Sequence, residues 1–388
     1  LFPDLAKDAL LFQLRITDLN ATPPQQRNQR GRIIELDALR ALAAINLMFF
    51  HFTHVYAVKY GYRGELGFCL PYGKYGVQLF FMLSGFVNTL TLARKRRAGD
   101  FLVNRILRIY PSFWIVVGLN VVLFAVAPIS LGSFSTGQTA ANLTALPNLF
   151  GFETMEPVTW TIQVELLFYG VVLLMFVSGS LDRPWRPIMG MLVLSAVARW
   201  ASDTVYLQDP QSLTLAWLQF IRQLLILDYI PLFAIGMLLH QIYIREGQRW
   251  VNVVGVVLSA VVFHAIDRHD HNPMVTVMFI GLLTAAAYGK LPVLRLRFFV
   301  FISTISYALY LMHNNLGCVV IYHVNRAGCS PFFSMVLAIA LMTGLAAVYT
   351  YRFEQPLTRL LKNVWQTRQP QWIQSIRLLT RTHRTRLG

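Results

Sequence analysis

The sequence predicts an all-α, polytopic integral membrane protein with about ten transmembrane helices and both termini in the cytoplasm. Three observations predict it. Of 388 residues, 55% are hydrophobic and only 13% are charged, where a soluble domain carries about 25% charged residues. Apolar stretches of bilayer-crossing length follow one another along most of the chain. The 34 Lys and Arg gather in short clusters between those stretches, and the clusters fall on alternate sides of a ten-span arrangement, the mark of cytoplasmic loops. The net charge of +16 is then a signature of topology, and no nucleic-acid partner is expected.

Residues 1–31, which include Thr22-Pro23-Pro24, read as a flexible cytoplasmic tail with no assigned function. The chain opens with Leu1, which leaves its true start open. No cleavable signal is expected, because the first apolar run is too long for one. Residues 32–363 form the membrane domain, with spans at 36–58, 76–93, 101–126, 159–177, 187–202, 222–244, 250–266, 273–289, 298–324 and 331–350. Arg94 to Arg97, Arg183 and Arg186, Arg245 and Arg249, Lys290, Arg295 and Arg297, and Arg352, Arg359 and Lys362 mark the cytoplasmic side. Only seven basic residues (Lys59, Arg63, Lys74, Arg199, Arg222, Arg268 and Arg326) fall on or near the other side. The longest external segment, 127–158, is rich in Ser, Thr, Gly and Asn and either contacts a sugar or is loop slack. Residues 364–388 alternate Arg with Trp, Ile and Leu, which suits a basic amphipathic segment on the anionic cytoplasmic leaflet, or a disordered tail. Cys69 and Cys329 share the external side, where an oxidising compartment would let them pair; Cys318 falls within a span.

Ionisable groups inside a span cost about 2.5–3.5 kcal/mol each on insertion scales, so each needs a partner, a wet cavity or a role. Asp37 and Arg40 are three residues apart on one helical face, and a local ion pair accounts for both. Arg40 and His51 are eleven apart, a spacing that returns within about 20° of one direction some 16 Å further along a helix. That separation suits the pantetheine arm of coenzyme A, with its phosphates at Arg40 and its thioester near His51. Arg105 and Arg108 add two cations at cytoplasmic depth; they are either an interfacial snorkelling pair or, gathered with Arg40, a phosphate site. Glu165 is expected about 9 Å below the outer surface, the depth of His51, where it could orient a general-base imidazole or simply bind neighbouring donors as packing glue. His313 is buried in the ninth span as a structural or supporting residue. His269 and His271 could ligate a metal but lack further ligands, and no metal is expected. There is no G-x-S-x-G elbow and no glycine-rich phosphate loop.

Five segments in order resemble the acyltransferase-3 family of bacterial membrane acyltransferases, which includes O-acetylases of O-antigen and exopolysaccharide. Leu36-Asp37-Ala38-Leu39-Arg40 with His51 resembles its R-x10-H signature, and Phe80-Phe81-Met82-Leu83-Ser84-Gly85-Phe86 its F-F-x-L-S-G-F segment. Arg105-Ile106-Leu107-Arg108-Ile109-Tyr110-Pro111 resembles R-x-x-R-I-Y-P, and Trp160 to Tyr169 is similar to W-S-L-x-x-E-x-x-F-Y. The likeness runs from Ile34 to Pro356, ending at Arg352-Phe353-Glu354-Gln355-Pro356. It departs at Thr161, where Ser is usual, and at Met312 and Asn315, where Trp and Pro stand around the histidine. The resemblance implies that the first-span histidine is catalytic and that the arginines serve the acyl donor. It also implies a place in the bacterial inner membrane. Many relatives carry an appended esterase-like domain; here the membrane domain or a separate partner is expected to complete transfer.

The expected activity is therefore O-acylation, with an acyl group, most simply acetyl, taken from acetyl-CoA or another acyl-CoA. The acceptor is a hydroxyl of an extracytoplasmic or lipid-linked glycan. Acyl-CoA, the glycan and membrane lipid are the expected partners, with no permanently bound cofactor. His51 and Glu165 carry catalysis; Arg40, Arg105 and Arg108 hold the donor; Asp37, Ser84, Tyr110, Trp160, Tyr169 and His313 support them. A transporter of a small anionic solute, or a non-catalytic scaffold, would also bury charge, but the spans show no duplicated halves.

Overall fold

The computed structural model describes residues 33–93, 98–127, 134–244, 249–267 and 272–367. The two tails, apart from 364–367, the Arg94–Arg97 cluster and the His269/His271 pair lie outside these residues. Among the described residues there is no strand. Helix α1 runs Ile34–Lys59 and α2 runs Gly76–Ala93, followed by α3 (Ala98–Val126) and the short α4 (Thr136–Leu143). Next come α5 (Trp160–Val177), α6 (Trp185–Gln208), α7 (Leu213–Leu224) and α8 (Ile230–Ile244). The remainder is α9 (Arg249–Ile266), α10 (Pro273–Ala287), α11 (Arg297–Arg326), α12 (Pro331–Tyr349) and α13 (Gln355–Thr367).

Among the described residues, seven helical segments are long and apolar enough to cross a bilayer, so the expected count of ten is not confirmed on that measure. The other three expected spans are helical but differ in kind. Helices α8 and α10 have 15 residues each, about 22 Å of helix, short of a hydrocarbon core of about 30 Å. Helix α11 has 30 residues but carries Ser306, Tyr307, Tyr310, His313, Asn314 and Asn315, all turned into the protein and most of them buried. The expected span at 222–244 is broken: α7 ends at Leu224, and Ile226 takes φ +48° before α8 begins. A β-branched residue in the left-handed region is strained, and the turn it makes sets Asp228 and Tyr229 at the mouth of α8.

Helix α2 is the central post, packed on α8, α1 and α5, while α11 packs on α12, α1 and α3. The α2–α8 crossing is close because both helices present glycine. A Cβ on Gly85 would overlap the Phe233 carbonyl, and one on Gly236 would overlap that of Met82, the small-residue device of membrane helix pairs. Segment 134–158 is not slack. Tyr110 Oη donates to the Thr144 carbonyl at 2.9 Å and Trp114 Nε1 to that of Leu143 at 2.9 Å. Glu156 is buried, accepting from Asn314 Nδ2 at 3.0 Å and from the Asn315 amide at 3.3 Å. Asn315 Nδ2 also donates to Asn120 Oδ1 at 2.7 Å and to the Met155 carbonyl at 2.9 Å, so the residue standing where the family has Pro closes this network. Such satisfaction lets irregular backbone enter a bundle. The thiols of Cys69 and Cys329, whose pairing the sequence leaves open, are free of each other; Cys69 lies 3.4 Å from His54 Nδ1.

Candidate active site

Helix ends define two faces. The starts of α1, α3 and α11 and the end of α2 surround a basin of about 680 Å³ lined by Asp37, Arg40, Arg105, Arg108, Glu354, Arg359 and Lys362 among others. This is the face of the basic loops. A smaller chamber of about 70 Å³ continues it inward, sharing Arg40, Arg105, Arg108 and Tyr307 and adding Ser84, Thr161, Glu165 and Tyr310. The three guanidinium groups therefore do converge. Arg40 Nη1 pairs with Asp37 Oδ1 at 3.1 Å, as their spacing suggested. Arg105 lies over the rings of Phe101 and Tyr169, at 5.2 and 5.3 Å.

Glu165 lines the inner chamber, where its Oε1 accepts from Tyr169 Oη at 2.5 Å and from Ser84 Oγ at 3.2 Å. Asn88 Nδ2 in turn donates to Ser84 Oγ at 2.8 Å. Ser84 and Tyr169 thus serve the carboxylate. Glu165 makes no hydrogen bond to His51, which corrects the expected pairing. Equal depth fixes height in a bundle but not the direction in which a side chain points. Glu165 faces the arginines instead.

His51 opens a π turn, His51–Val55, inside α1, a local widening often found at functional positions. It lines a third cavity, about 480 Å³, on the opposite face. Its near neighbour is His313, the two ring centroids 5.1 Å apart and edge to face. His313 Nδ1 lies 2.9 Å from the Tyr310 carbonyl and 3.2 Å from that of Leu309. Carbonyls only accept, so Nδ1 carries the proton and Nε2 holds a lone pair. Neither His313 Nε2 nor His51 Nδ1 has a hydrogen-bond partner, and both are buried.

Trp160 lines the His51 cavity with Phe81 and Tyr229 and is not in the Glu165 chamber. Phe81 lines both and is the wall between them. Tyr110 lines none of these cavities, being turned to Thr144. Tyr307, Tyr310 and Asp228 line these cavities without having been expected there, and Lys74 and Arg199, expected only as outer-side basic residues, line the His51 cavity. Only the tyrosines had a signal, lying one helical turn and two turns before His313. Among the described residues no group of three or more His, Cys, Asp or Glu could hold a metal.

The helical membrane bundle thus carries a cationic chamber on its basic face and a histidine beyond it. The family model described as an acyltransferase domain matches residues 33–351, and the chain belongs to that family, acyltransferase-3. It is similar to the exopolysaccharide production protein ExoZ of Rhizobium meliloti (strain 1021), 26% identical over 309 residues, covering 74% of this chain and 90% of that protein. It is also similar to nodulation protein 10 of Rhizobium leguminosarum bv. viciae, 26% identical over 200 residues. That match covers 46% of this chain and about half, 53%, of the relative. No solved structure matches the chain.

Proposed function

We propose that this protein O-acylates an extracytoplasmic glycan, using an acyl-CoA, most simply acetyl-CoA, that enters from the cytoplasmic face. The observation that carries the reading is the convergence of Arg40, Arg105 and Arg108 on one chamber that opens toward the basic loops. Guanidinium forks suit phosphate oxygens, and Arg359 and Lys362 extend the same charge outward. The pantetheine arm would pass Phe81 to bring the thioester carbonyl to His51. The name of ExoZ, an exopolysaccharide production protein, supports a polysaccharide acceptor.

The step balances without a cofactor. The acceptor oxygen attacks the thioester carbon, a C–O bond forms and the C–S bond breaks. The hydroxyl proton goes to His51 and then to the departing thiolate. An imidazole, with an ordinary pKa of about 6.5, can do both. His313 takes the orienting place first expected of Glu165: its unpartnered Nε2 lone pair would accept the Nδ1–H of His51 once the His51 ring turns toward it, leaving His51 Nε2 as the base. Transient acylation of His51 is the alternative course. Glu165, bonded to Tyr169 and Ser84, lines the same chamber as the arginines and sets a negative charge among them.

Acetyl-CoA binding to the purified protein tests the donor site. A charge-assisted hydrogen bond contributes roughly 1.5–3 kcal/mol, so removing one guanidinium should weaken binding about tenfold or more. Unchanged affinity in a folded Arg105→Ala, Arg108→Ala protein would remove the assignment. Two chambers on opposite faces with a wall at Phe81 also suit a carrier of an anionic solute. A carrier would bind acetyl-CoA without consuming it, so release of free coenzyme A separates the two.

A further inference from the structure

The cavity on the face opposite the basic loops differs in chemistry from the donor basin. Its lining carries charges of both signs, Lys74 and Arg199 with Asp228 and Asp267, and Arg199 Nε also pairs with Asp203 at 3.3 Å. Aromatic rings form one wall, with Trp160 and Tyr229 at 5.3 Å between centroids and Phe81 6.1 Å from Trp160. Its volume of about 480 Å³ lies within the roughly 300–1,000 Å³ of small-molecule sites. Asp228 is held in place by Arg222, whose Nη2 donates to Oδ1 at 2.5 Å, yet its side chain stays 39% exposed. One carboxylate oxygen is thereby fixed and the other is left for a ligand. The strained turn at Ile226 places this residue and Tyr229 together at the cavity mouth.

A ligand for such a site must be amphipathic and carry little net charge. Polyanions meet two carboxylates here, and a lipid tail would have to desolvate four charged groups. A pyranose ring meets both demands. Its C–H face lies against aromatic rings, and its hydroxyls both donate to Asp228 and accept from Lys74 or Arg199. We infer that this cavity is the acceptor subsite, holding a neutral pyranose residue of a saccharide against Trp160 and Tyr229 with one hydroxyl turned to His51. The inference deepens the acyltransfer reading and rests on it for the role of His51; saccharide binding itself does not need the donor.

The test uses the full-length purified protein and neutral or uronic-acid-containing oligosaccharides from alkali-de-O-acylated bacterial surface polysaccharide. Calorimetry reads saccharide binding without donor; acetyl transfer from acetyl-CoA is measured in parallel. Tyr229→Ala and Asp228→Asn are expected to raise the saccharide Kd and KM about tenfold or more while leaving the acetyl-CoA Kd unchanged. Because Asp228 also pairs with Arg222, Lys74→Ala is made beside them as a variant that leaves that pair intact, with a smaller rise expected. The neutral fraction should bind better than the acidic one. Wild-type saccharide affinity in folded Tyr229→Ala and Asp228→Asn, or a preference for the acidic fraction, would overturn the assignment. Saccharide binding that responds to these variants, in a protein that never consumes acetyl-CoA, would uphold the cavity and sink the acyltransfer reading instead.

Discussion

His313 is buried on every side, with its Nδ1 proton directed to the carbonyls of its own helix. Its Nε2 is consequently a fixed acceptor beside His51, and a turn of the His51 ring would close a hydrogen bond between two nitrogens that otherwise have none. An unpaired buried polar atom costs about 1–3 kcal/mol, which favours that closure. On this reading His51→Ala loses the base and with it about 10²–10⁴-fold in turnover, while acetyl-CoA still binds. His313→Ala removes only the acceptor that orients the base, so kcat should fall by less and donor affinity should stay put. Steady-state kinetics with separate donor-binding measurements decide it: equal kcat in His313→Ala and wild type would leave His51 without this support. Glu165→Gln should show the opposite pattern, weakening donor binding more than the chemical step, because its contacts are with the arginine chamber.

The α2–α8 crossing depends on two glycines that the sequence places in unrelated surroundings. Gly236→Val pushes a side chain into the Met82 carbonyl of the facing helix, and no rotamer relieves contact between two backbones. Size-exclusion profiles in detergent should show loss of the monodisperse species, whereas Gly190→Val, where a Cβ meets nothing within 4 Å, should keep it. The re-entering segment before α5 gives a second element-scale expectation. Burial lifts the Glu156 carboxyl to about 7, against the hydrogen bonds of Asn314, Asn315 and Asn120 and the charge of Lys59, which lower it. A carboxyl whose native pKa is raised contributes most below its unfolded value, near 4.5, and loses that contribution as pH rises through about 7. The midpoint temperature of thermal unfolding in detergent should accordingly fall between pH 5 and pH 8, and Glu156→Gln should flatten that part of the slope. An identical slope in the variant would show that Glu156 is not the group responsible.

At the scale of the whole molecule, two chambers of unlike charge open on opposite faces and meet at Phe81. On the proposed reading, that arrangement would let a soluble anionic donor and an external acceptor reach one histidine without either crossing the bilayer. The positive-inside pattern gives the orientation, and the free thiols make it measurable. Cys69 is exposed, Cys329 partly so, and Cys318 buried. A membrane-impermeant maleimide added to intact cell-wall-permeabilised cells should label Cys69 without prior reduction and leave Cys318 untouched. Labelling of Cys69 only after the inner face is opened would reverse the topology and exchange the roles of the two chambers.

The helices were legible because an apolar run of bilayer length is a local property: the reading at 250–266 meets Arg249–Ile266, and 298–324 meets Arg297–Arg326. The gathering of the three arginines was legible too, since Arg105 and Arg108 share a helix face and Arg40 lies at the same depth on α1. The break at Ile226 was not, because nothing in Leu224-Leu225-Ile226-Leu227 is a turn residue; the strained backbone is held by the packing of α8 against α2 and by bonds across the turn, from the Leu227 amide to the Arg222 carbonyl and from Arg222 to Asp228. The partner of His51 was also decided by tertiary structure. Sequence gives a residue's height in the membrane, through 1.5 Å per residue, and its direction relative to its own helix, but not how that helix is rotated against its neighbours. The rotation of α5 turns Glu165 to the arginines, and the packing of α11 on α1 brings His313 to His51.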